Sequence, residues 1–214
     1  NFIGLFNLDE ANNKSFEEIS KITNADRIYL FITNHNGLTV DNTHEWCAPG
    51  VIPHKSILQD LPIELFPWWA NKVMNNEIIQ IENISALPEE AVAEKKLLEV
   101  QGIKSLIALP LNLSDSTKGF VGFDYVNDSK TWCDEDLTIL ETLANIFSNA
   151  LTKDQIEKNL LKSEKKYRSL FENVIEQSPV SIFIADKYGF IHYLNPMLIQ
   201  TSGYSKEEFN GKKI

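Results

Sequence analysis

The 214-residue chain has little cysteine: only Cys47 and Cys133, far apart in sequence. Two such thiols cannot form the disulfide framework of a small secreted domain, so a reducing, cytoplasmic compartment is the expectation. No apolar run approaches the roughly 20 residues that a membrane helix needs, and no segment reads as a secretory leader. Clustered positive charge is missing as well. The formal net charge is −10, which excludes the phosphate-gripping surface of a nucleic-acid binder. The one basic run, "KSEKKYR" (Lys162 to Arg168), is interrupted by Glu164 and reads as a solvated helix face. C-x-x-C pairs, the haem attachment C-x-x-C-H and the phosphate loop G-x-x-x-x-G-K-S/T are all absent. "GFVGF" (Gly119 to Phe123) is a strand with two glycines, not a nucleotide loop. The chain starts at Asn1 without methionine and stops at "NGKKI", so it reads as an internal piece of a longer protein.

What is present is a succession of short, well-punctuated elements. Leu8, Asn12, Phe16 and Ile19 fall near one helical face up to Thr23, and the turn "NAD" closes that helix. "RIYLFIT" and "LTVDNTHEW" are strand-like runs joined through Asn36-Gly37, a strong hairpin signal because both residues tolerate positive φ. Pro67 suits the first turn of a short helix from which Trp68, Trp69 and Val73 turn inward. "EIIQIENI" is a short strand. A helix is predicted from a Ser85 cap through Pro88 and Glu89-Glu90 to Gly102. "IKSLIALPLNL" and "KGFVGFDYVN" read as two core strands joined by "SDST". The order predicts an α+β fold with a mostly antiparallel sheet.

From Thr131 to Ser178 there is neither glycine nor proline. Thr131 and Asp134 resemble a capping box, and the acidic run Asp134 to Asp136 suits a helix N-terminus rather than a metal. Ile139, Leu143, Ile146 and Ala150 form a first apolar stripe, expected to cover the sheet. Ile156, Leu160, Ser163, Tyr167, Leu170 and Val174 form a second at heptad spacing, expected to pair with another copy as a coiled coil. After Pro179 the texture changes. Val180 to Ala185 and Phe190 to Leu194 read as strands around the "DKYG" turn, and Ser205 with Glu208 makes a further capping box. "IHYLNPML" imitates a phosphoacceptor histidine box, but His192 falls in a strand-like run with Tyr193 where an acid is needed.

The stretch with the most chemical character is "THEWCAPGVIPH", Thr43 to His54. His44 and Cys47 are three apart, which in a strand puts them on opposite faces, and a closed zinc site needs a fourth ligand that is missing here. One histidine or thiolate suffices as a haem axial ligand, so His44, Cys47 and His54 each qualify and the spacing does not choose among them. The plain reading is that Trp46 packs, Cys47 is a small apolar residue, and both histidines are solvated.

Residues from about Phe16 to Leu151 resemble a GAF domain of the bacterial and archaeal sensor type, on "NADRIYLFITNHNG", "THEWCAPGV", "PWWANKV", "LPEEAVAEKKLLEVQGIKSLIALPL", "GFVGFDYVN" and "DEDLTILETLANIFSNAL". The tail "SEKKYRSLFENVIEQSPVSIFIADKYGFIHYLNPMLIQTSGYSKEEFNGK" resembles the start of a PAS domain. The resemblance implies a central antiparallel sheet with helices on one face and a ligand pocket on the other, and a domain plan of 1–151 GAF, 152–177 linker helix and 178–214 truncated PAS. It implies the sensory module of a multidomain signalling protein, most often a sensor histidine kinase, dimeric through the linker, with any catalytic output outside this chain. Pocket candidates under this resemblance are Trp46, Cys47, Trp68, Trp69 and Phe123, the tryptophans serving first as core and lid packing. Some members of the class carry haem or attach bilins through a cysteine, which is the tetrapyrrole reading of His44, Cys47 and His54; no cofactor at all is the leading expectation. Some small stand-alone GAF proteins are cysteine-dependent methionine sulfoxide reductases, the enzyme alternative for Cys47, and a ligand-free connector is the other alternative. The cyclic-nucleotide motif of the family survives only in fragments at "NDSKTWCDED", so cyclic-nucleotide binding is not implied.

Overall fold

The computed structural model describes residues 12–34, 37–113, 118–205 and 208. Leu8, Asn36 and the "SDST" connection lie outside the described residues. Two compact units divide the chain, 1–154 and 155–214.

The first unit is built on a six-stranded antiparallel sheet. Its strands are β1 (Arg27–Thr33), β2 (Thr39–Cys47), β3 (Leu61–Pro62), β4 (Ile79–Ile81), β5 (Ser105–Asn112) and β6 (Lys118–Tyr125), in the spatial order β3-β2-β1-β6-β5-β4. Helix α1 (Asn12–Thr23) precedes β1, α2 (Pro67–Met74) connects the edge strands β3 and β4, α3 (Val92–Val100) connects β4 to β5, and α4 (Asp134–Leu170) follows β6. This is the α+β arrangement that the pattern of runs predicted.

Alternation along β1 sorts the sheet into two buried faces. Ile28 and Leu30, with Ile107, Leu109, Val121 and Phe123 from β5 and β6, pack against Phe16 of α1 and against Leu140, Ala144 and Phe147 of α4. Phe16 and Phe147 meet with ring centroids 5.6 Å apart. Tyr29 and Phe31, with Leu106, Ala108 and Phe120, face the other way toward Leu58, Val73 of α2 and Leu98 of α3. Both faces are covered, so the central strands are buried almost throughout rather than alternating with solvent.

Three local expectations are displaced, two by a residue or two and one by seven, each for a physical reason. The inward stripe of α4 is Leu140, Ala144 and Phe147, while Ile139, expected in that stripe, is 44% exposed. Leu143 lies between the two choices of phase, and the smaller Ala144 and Ser148 let the helix approach the sheet, where the Ser148 hydroxyl accepts from Asn112 N at 3.1 Å. The α4 cap is not Thr131 with Asp134. The Asp136 carboxylate reaches back to Cys133 N at 3.2 Å, as the third residue of a helix does toward its cap. The helix expected from Ser85 starts only at Val92, because Pro88 forces Leu87 to an extended φ/ψ of −58°/141° and splits the run into two short 3₁₀ turns. The cap of the first turn is Asn83, whose side chain accepts from Ser85 N at 2.9 Å.

In the second unit α4 runs on into a π-helical segment, Phe171–Glu176. A two-stranded antiparallel ribbon follows, β7 (Phe183–Ala185) and β8 (Ile191–Leu194), then α5 (Pro196–Ser202). His192 lies within β8, with Nε2 3.2 Å from the Asp186 carboxylate. The fully buried Asn195 organises the unit: its carbonyl accepts from Ile182 N at 2.8 Å and caps α5 through Leu198 N at 3.1 Å, while its amide donates to Val180 O at 2.8 Å. The Ser205–Glu208 capping box is present, with Ser205 N donating to the Glu208 carboxylate at 2.8 Å.

The phase of α4 is testable by stability. Phe147→Ala is expected to lose about 3–5 kcal/mol of unfolding free energy, and Ile139→Ala less than about 1 kcal/mol, in denaturant titrations. Equal losses would place both side chains on the sheet.

Candidate functional site

The site begins with a break in register. Along β1 and β2 the pairs run Thr33 with Val40 and Phe31 with Asn42, then skip Thr43 to resume as Leu30 with His44, Tyr29 with Glu45, Ile28 with Trp46 and Arg27 with Cys47. This β-bulge inverts the parity of β2. Before it the even residue Asn42 shares the Tyr29 face; after it the odd residues Glu45 and Cys47 do. Without the bulge Glu45 would be turned away from Arg27.

Across that face the pairing continues into β6, where Arg27 stands opposite Asp124, Tyr29 opposite Gly122 and Phe31 opposite Phe120. The result is a buried polar cluster. Arg27 is 2% exposed; its Nη1 donates to Asp124 Oδ2 at 3.1 Å and to Gln101 Oε1 at 2.9 Å, and its Nη2 donates to Ile52 O at 3.0 Å. Glu45 Oε1 lies 3.9 Å from Arg27 Nε. The other Glu45 oxygen accepts from the backbone N–H groups of His54 and Lys55 at 2.7 and 2.8 Å, tying the loop after β2 to the sheet. The Tyr29 hydroxyl donates to Asp124 Oδ1 at 2.8 Å.

Tyr29 reaches Asp124 because its ring lies over Gly122, where a Cβ would collide with the ring and hydroxyl. Burial pushes the Asp124 carboxyl up to about 7, against the pull of Arg27 and of the Tyr29 hydroxyl. Burial together with the neighbouring Asp124 drives the Tyr29 phenol well above its ordinary range, so it remains a donor.

Beside this cluster is a cavity of about 110 Å³. Its floor is Arg27, Tyr29, Phe31, Asn42, Glu45 and Phe120. Its roof is Trp69, Ala70, Val73 and Met74 from α2, and Glu94, Leu97, Leu98 and Gln101 from α3 and its C-cap. The α3 contribution recurs at i, i+3, i+4 and i+7, one face of the helix. Phe31 and Phe120 stack at 5.0 Å with 9° between planes, and Trp69 tilts against Phe120 at 5.4 Å. Four buried polar atoms on the lining residues have no hydrogen-bond partner: Arg27 Nε, Asn42 Oδ1, Trp69 Nε1 and Glu94 Oε2.

Of the residues singled out from the sequence, Trp69 lines this cavity. Phe123 and Trp46 belong to the opposite face, packed in the core under α1 and α4, as their strand parity requires. His44 pairs with Leu30 on that same opposite side, its Nδ1 2.9 Å from the Thr43 hydroxyl. Trp68 packs against the cavity-side core and carries Lys72 Nζ 5.3 Å from its ring centroid. Cys47 closes β2 beside Arg27, half-buried; burial first, then Glu45, push its thiol up, the reverse of what an activated nucleophile requires. His54 is held through its backbone, and burial followed by the Arg27 charge lowers its imidazole pKa. Among the described residues no group of three or more His, Cys, Asp or Glu side chains is arranged to hold a metal ion. Arg27, Glu45, Asp124 and Glu94 were not singled out. The signal for Arg27 is its place at the head of an otherwise apolar central strand, and for Asp124 its place inside the apolar run of β6; Glu45 and Glu94 stand among polar neighbours and carry no such signal.

A curled antiparallel sheet with a helical roof on one face and a continuing helix on the other is the architecture of a class of sensory domains. The GAF domain pattern matches residues 7–151, and the chain belongs to that family. The PAS fold pattern matches residues 169–214, so a GAF domain is followed by a PAS-like segment. The chain is 21% identical over 204 residues to the methanogenesis regulatory histidine kinase FilI of Methanothrix harundinacea (strain 6Ac), a match that covers 93% of this chain and 22% of that protein. Among solved structures it is similar to the photoproduct state of GAF3 from Slr1393 of Synechocystis sp. PCC6803, with TM-score 0.60 and 17% identity over 73% of this chain and 98% of that one. It is also similar to a phycocyanobilin-bound GAF domain from a cyanobacterial phytochrome, with TM-score 0.58 and 14% identity over 73% and 90%. No helix among the described residues is long and apolar enough to cross a membrane.

Two measurements probe the cluster. Asp124 holds its proton more tightly when folded than unfolded, so its contribution to stability is complete below about pH 4 and is lost as pH rises through about 7. Unfolding free energy measured from pH 4 to 8 is therefore expected to fall more steeply for the wild type than for Asp124→Asn; parallel curves would refute the shift. Gly122→Ala is expected to cost about 1–3 kcal/mol by displacing the Tyr29 ring, measured by urea unfolding.

Proposed function

We propose that this chain is the sensory and transmitting part of a signal-transduction protein of the sensor histidine kinase type, with its catalytic output elsewhere in the protein. A small molecule binds the cavity between the sheet and α2–α3, and the change in roof packing biases how α4 pairs with its counterpart in a second copy. The observation that carries this reading is the cavity itself, apolar-walled, with four buried polar atoms without partners on the residues that line it. Leaving such atoms unpaired is costly, and a polar occupant relieves that cost. A ligand-free connector would instead fill this space with side chains, and of the four tryptophans only Trp69 lines it.

A tetrapyrrole, as in the phytochrome GAF structure, fits these residues poorly. A dry cavity of about 150 Å³ in another protein admits benzene; four linked pyrrole rings exceed a cavity of 110 Å³ by a wide margin. His44 is on the wrong face, and neither Cys47 nor His54 lines the cavity. The enzyme alternative is disfavoured by the raised thiol of Cys47.

Dimerisation rests on the second stripe of α4, where Ile156, Leu160, Tyr167 and Leu170 are all more than half exposed in the single chain. Heptad spacing gives these side chains a common seam that a second helix can bury. In sedimentation experiments the chain is expected to be a dimer and Leu160→Glu/Leu170→Glu a folded monomer. A wild-type monomer, or a double variant that stays dimeric, would sink the transmission half of the proposal.

A further inference from the structure

The charges around the cavity are unevenly compensated. The Arg27 cation is matched by Asp124 at 3.1 Å and by Glu45 at 3.9 Å. Glu45 is satisfied in turn by two backbone N–H groups of the following loop. Glu94 is different. It is 2% exposed on the cavity-facing side of α3, and its Oε1 accepts only the backbone N–H of Trp69, at 3.1 Å. Its Oε2 is buried without a hydrogen-bond partner, and no ion pair among the described residues involves it. A buried carboxylate in this state carries its desolvation cost with little compensation, and a cation placed against it recovers much of that cost. The walls beside it are aromatic. Trp69 shares the roof with Glu94, and its ring leans on Phe120, which stacks on Phe31. Rings of this kind attract organic cations through their faces and hold apolar groups by burial.

Resting on the reading of the cavity as a ligand site, we propose that its ligand is a small organic ammonium ion with a compact apolar body. The ammonium group donates to Glu94 Oε2, and the body lies along Trp69 and Phe120. Arg27 Nε and Trp69 Nε1 remain as donors for an oxygen on the same molecule, and Asn42 Oδ1 as an acceptor for a further N–H. An anionic ligand is disfavoured, because Arg27 has no unmatched charge to offer and Glu94 repels it.

The test compares three probes of four heavy atoms each, small enough for a cavity of about 110 Å³, on the full chain: isopropylammonium, 2-propanol and acetate. Binding is read by titration calorimetry and by the shift in thermal unfolding. Isopropylammonium is expected to bind about tenfold or more tightly than 2-propanol, with acetate weakest, and Glu94→Gln should remove the preference. If 2-propanol or acetate binds as well as or better than isopropylammonium, the cation assignment is overturned while the cavity stands as a ligand site. If none of the three binds, both fall and the connector reading takes their place. The comparison of probes on the wild-type chain decides the charge preference even if Glu94→Gln does not fold.

Discussion

The structure depends on the buried guanidinium of Arg27. A cation removed from water costs several kcal/mol unless oxygens surround it, and here they come from four separate segments: Asp124 of β6, Glu45 of β2, Gln101 at the end of α3, and the Ile52 carbonyl in the loop after β2. The side chain therefore fixes more than its own position. It sets the register of the three central strands, since a slip of one residue in β1 would drive the charge into the apolar layer under α1 and α4. It also ties the roof of the cavity to its floor. Gly122 and Tyr29 belong to the same constraint: the absent Cβ admits the ring whose hydroxyl completes the coordination of Asp124.

This arrangement gives the cavity two distinct ends. One is compensated in charge, with Arg27 between Asp124 and Glu45, though Arg27 Nε and Asn42 Oδ1 make no hydrogen bond there. The other, around Glu94, is unsatisfied. Both reach the same short helix, because α3 carries Glu94 near its start and Gln101 at its cap. Under the proposed function an occupant that engages Glu94 acts on the helix that also clasps Arg27, and Arg27 is joined directly to β1, β2 and β6. Strand β6 leads into α4. A physical route from roof to outgoing helix thus runs through hydrogen bonds and a strand rather than through loops alone.

The outgoing helix changes partners along its length. Small residues, Ala144 and Ser148, let its first turns lie close to the sheet, with Phe147 filling the space beside Phe16. Later turns expose a heptad stripe, and the segment from Phe171 winds as a π-helix. A π turn shifts the phase of everything beyond it, so the heptad pattern and the helix geometry part company there. In the second unit Asn195 supplies, from one side chain, bonds that a short ribbon and a short helix cannot make for themselves.

Much of this was legible in the sequence because it is local chemistry. Element order apart from the short β3, the antiparallel sheet, the Pro67 helix start, the strand around His192 and the division into a GAF-like and a PAS-like part all follow from periodicity, turn residues and motif resemblance. The phase of α4 was off by a residue because Leu143 serves either stripe, and only the close approach allowed by Ala144 and Ser148 selects one. The site was less legible. His44, Cys47 and His54 are conspicuous by their chemistry, whereas the residues that matter to the cavity are acids whose importance comes from burial. The Thr43 bulge reverses which residues of β2 face inward, and nothing in "THEWCAPGVIPH" announces it. The sequence by itself determined the elements, their order and the family, since these depend on neighbours along the chain. Tertiary structure decided that Glu45 meets Arg27, that Phe123 turns away from the cavity, and that Glu94 is buried without a cation, because each of these depends on which strands pair and in what register.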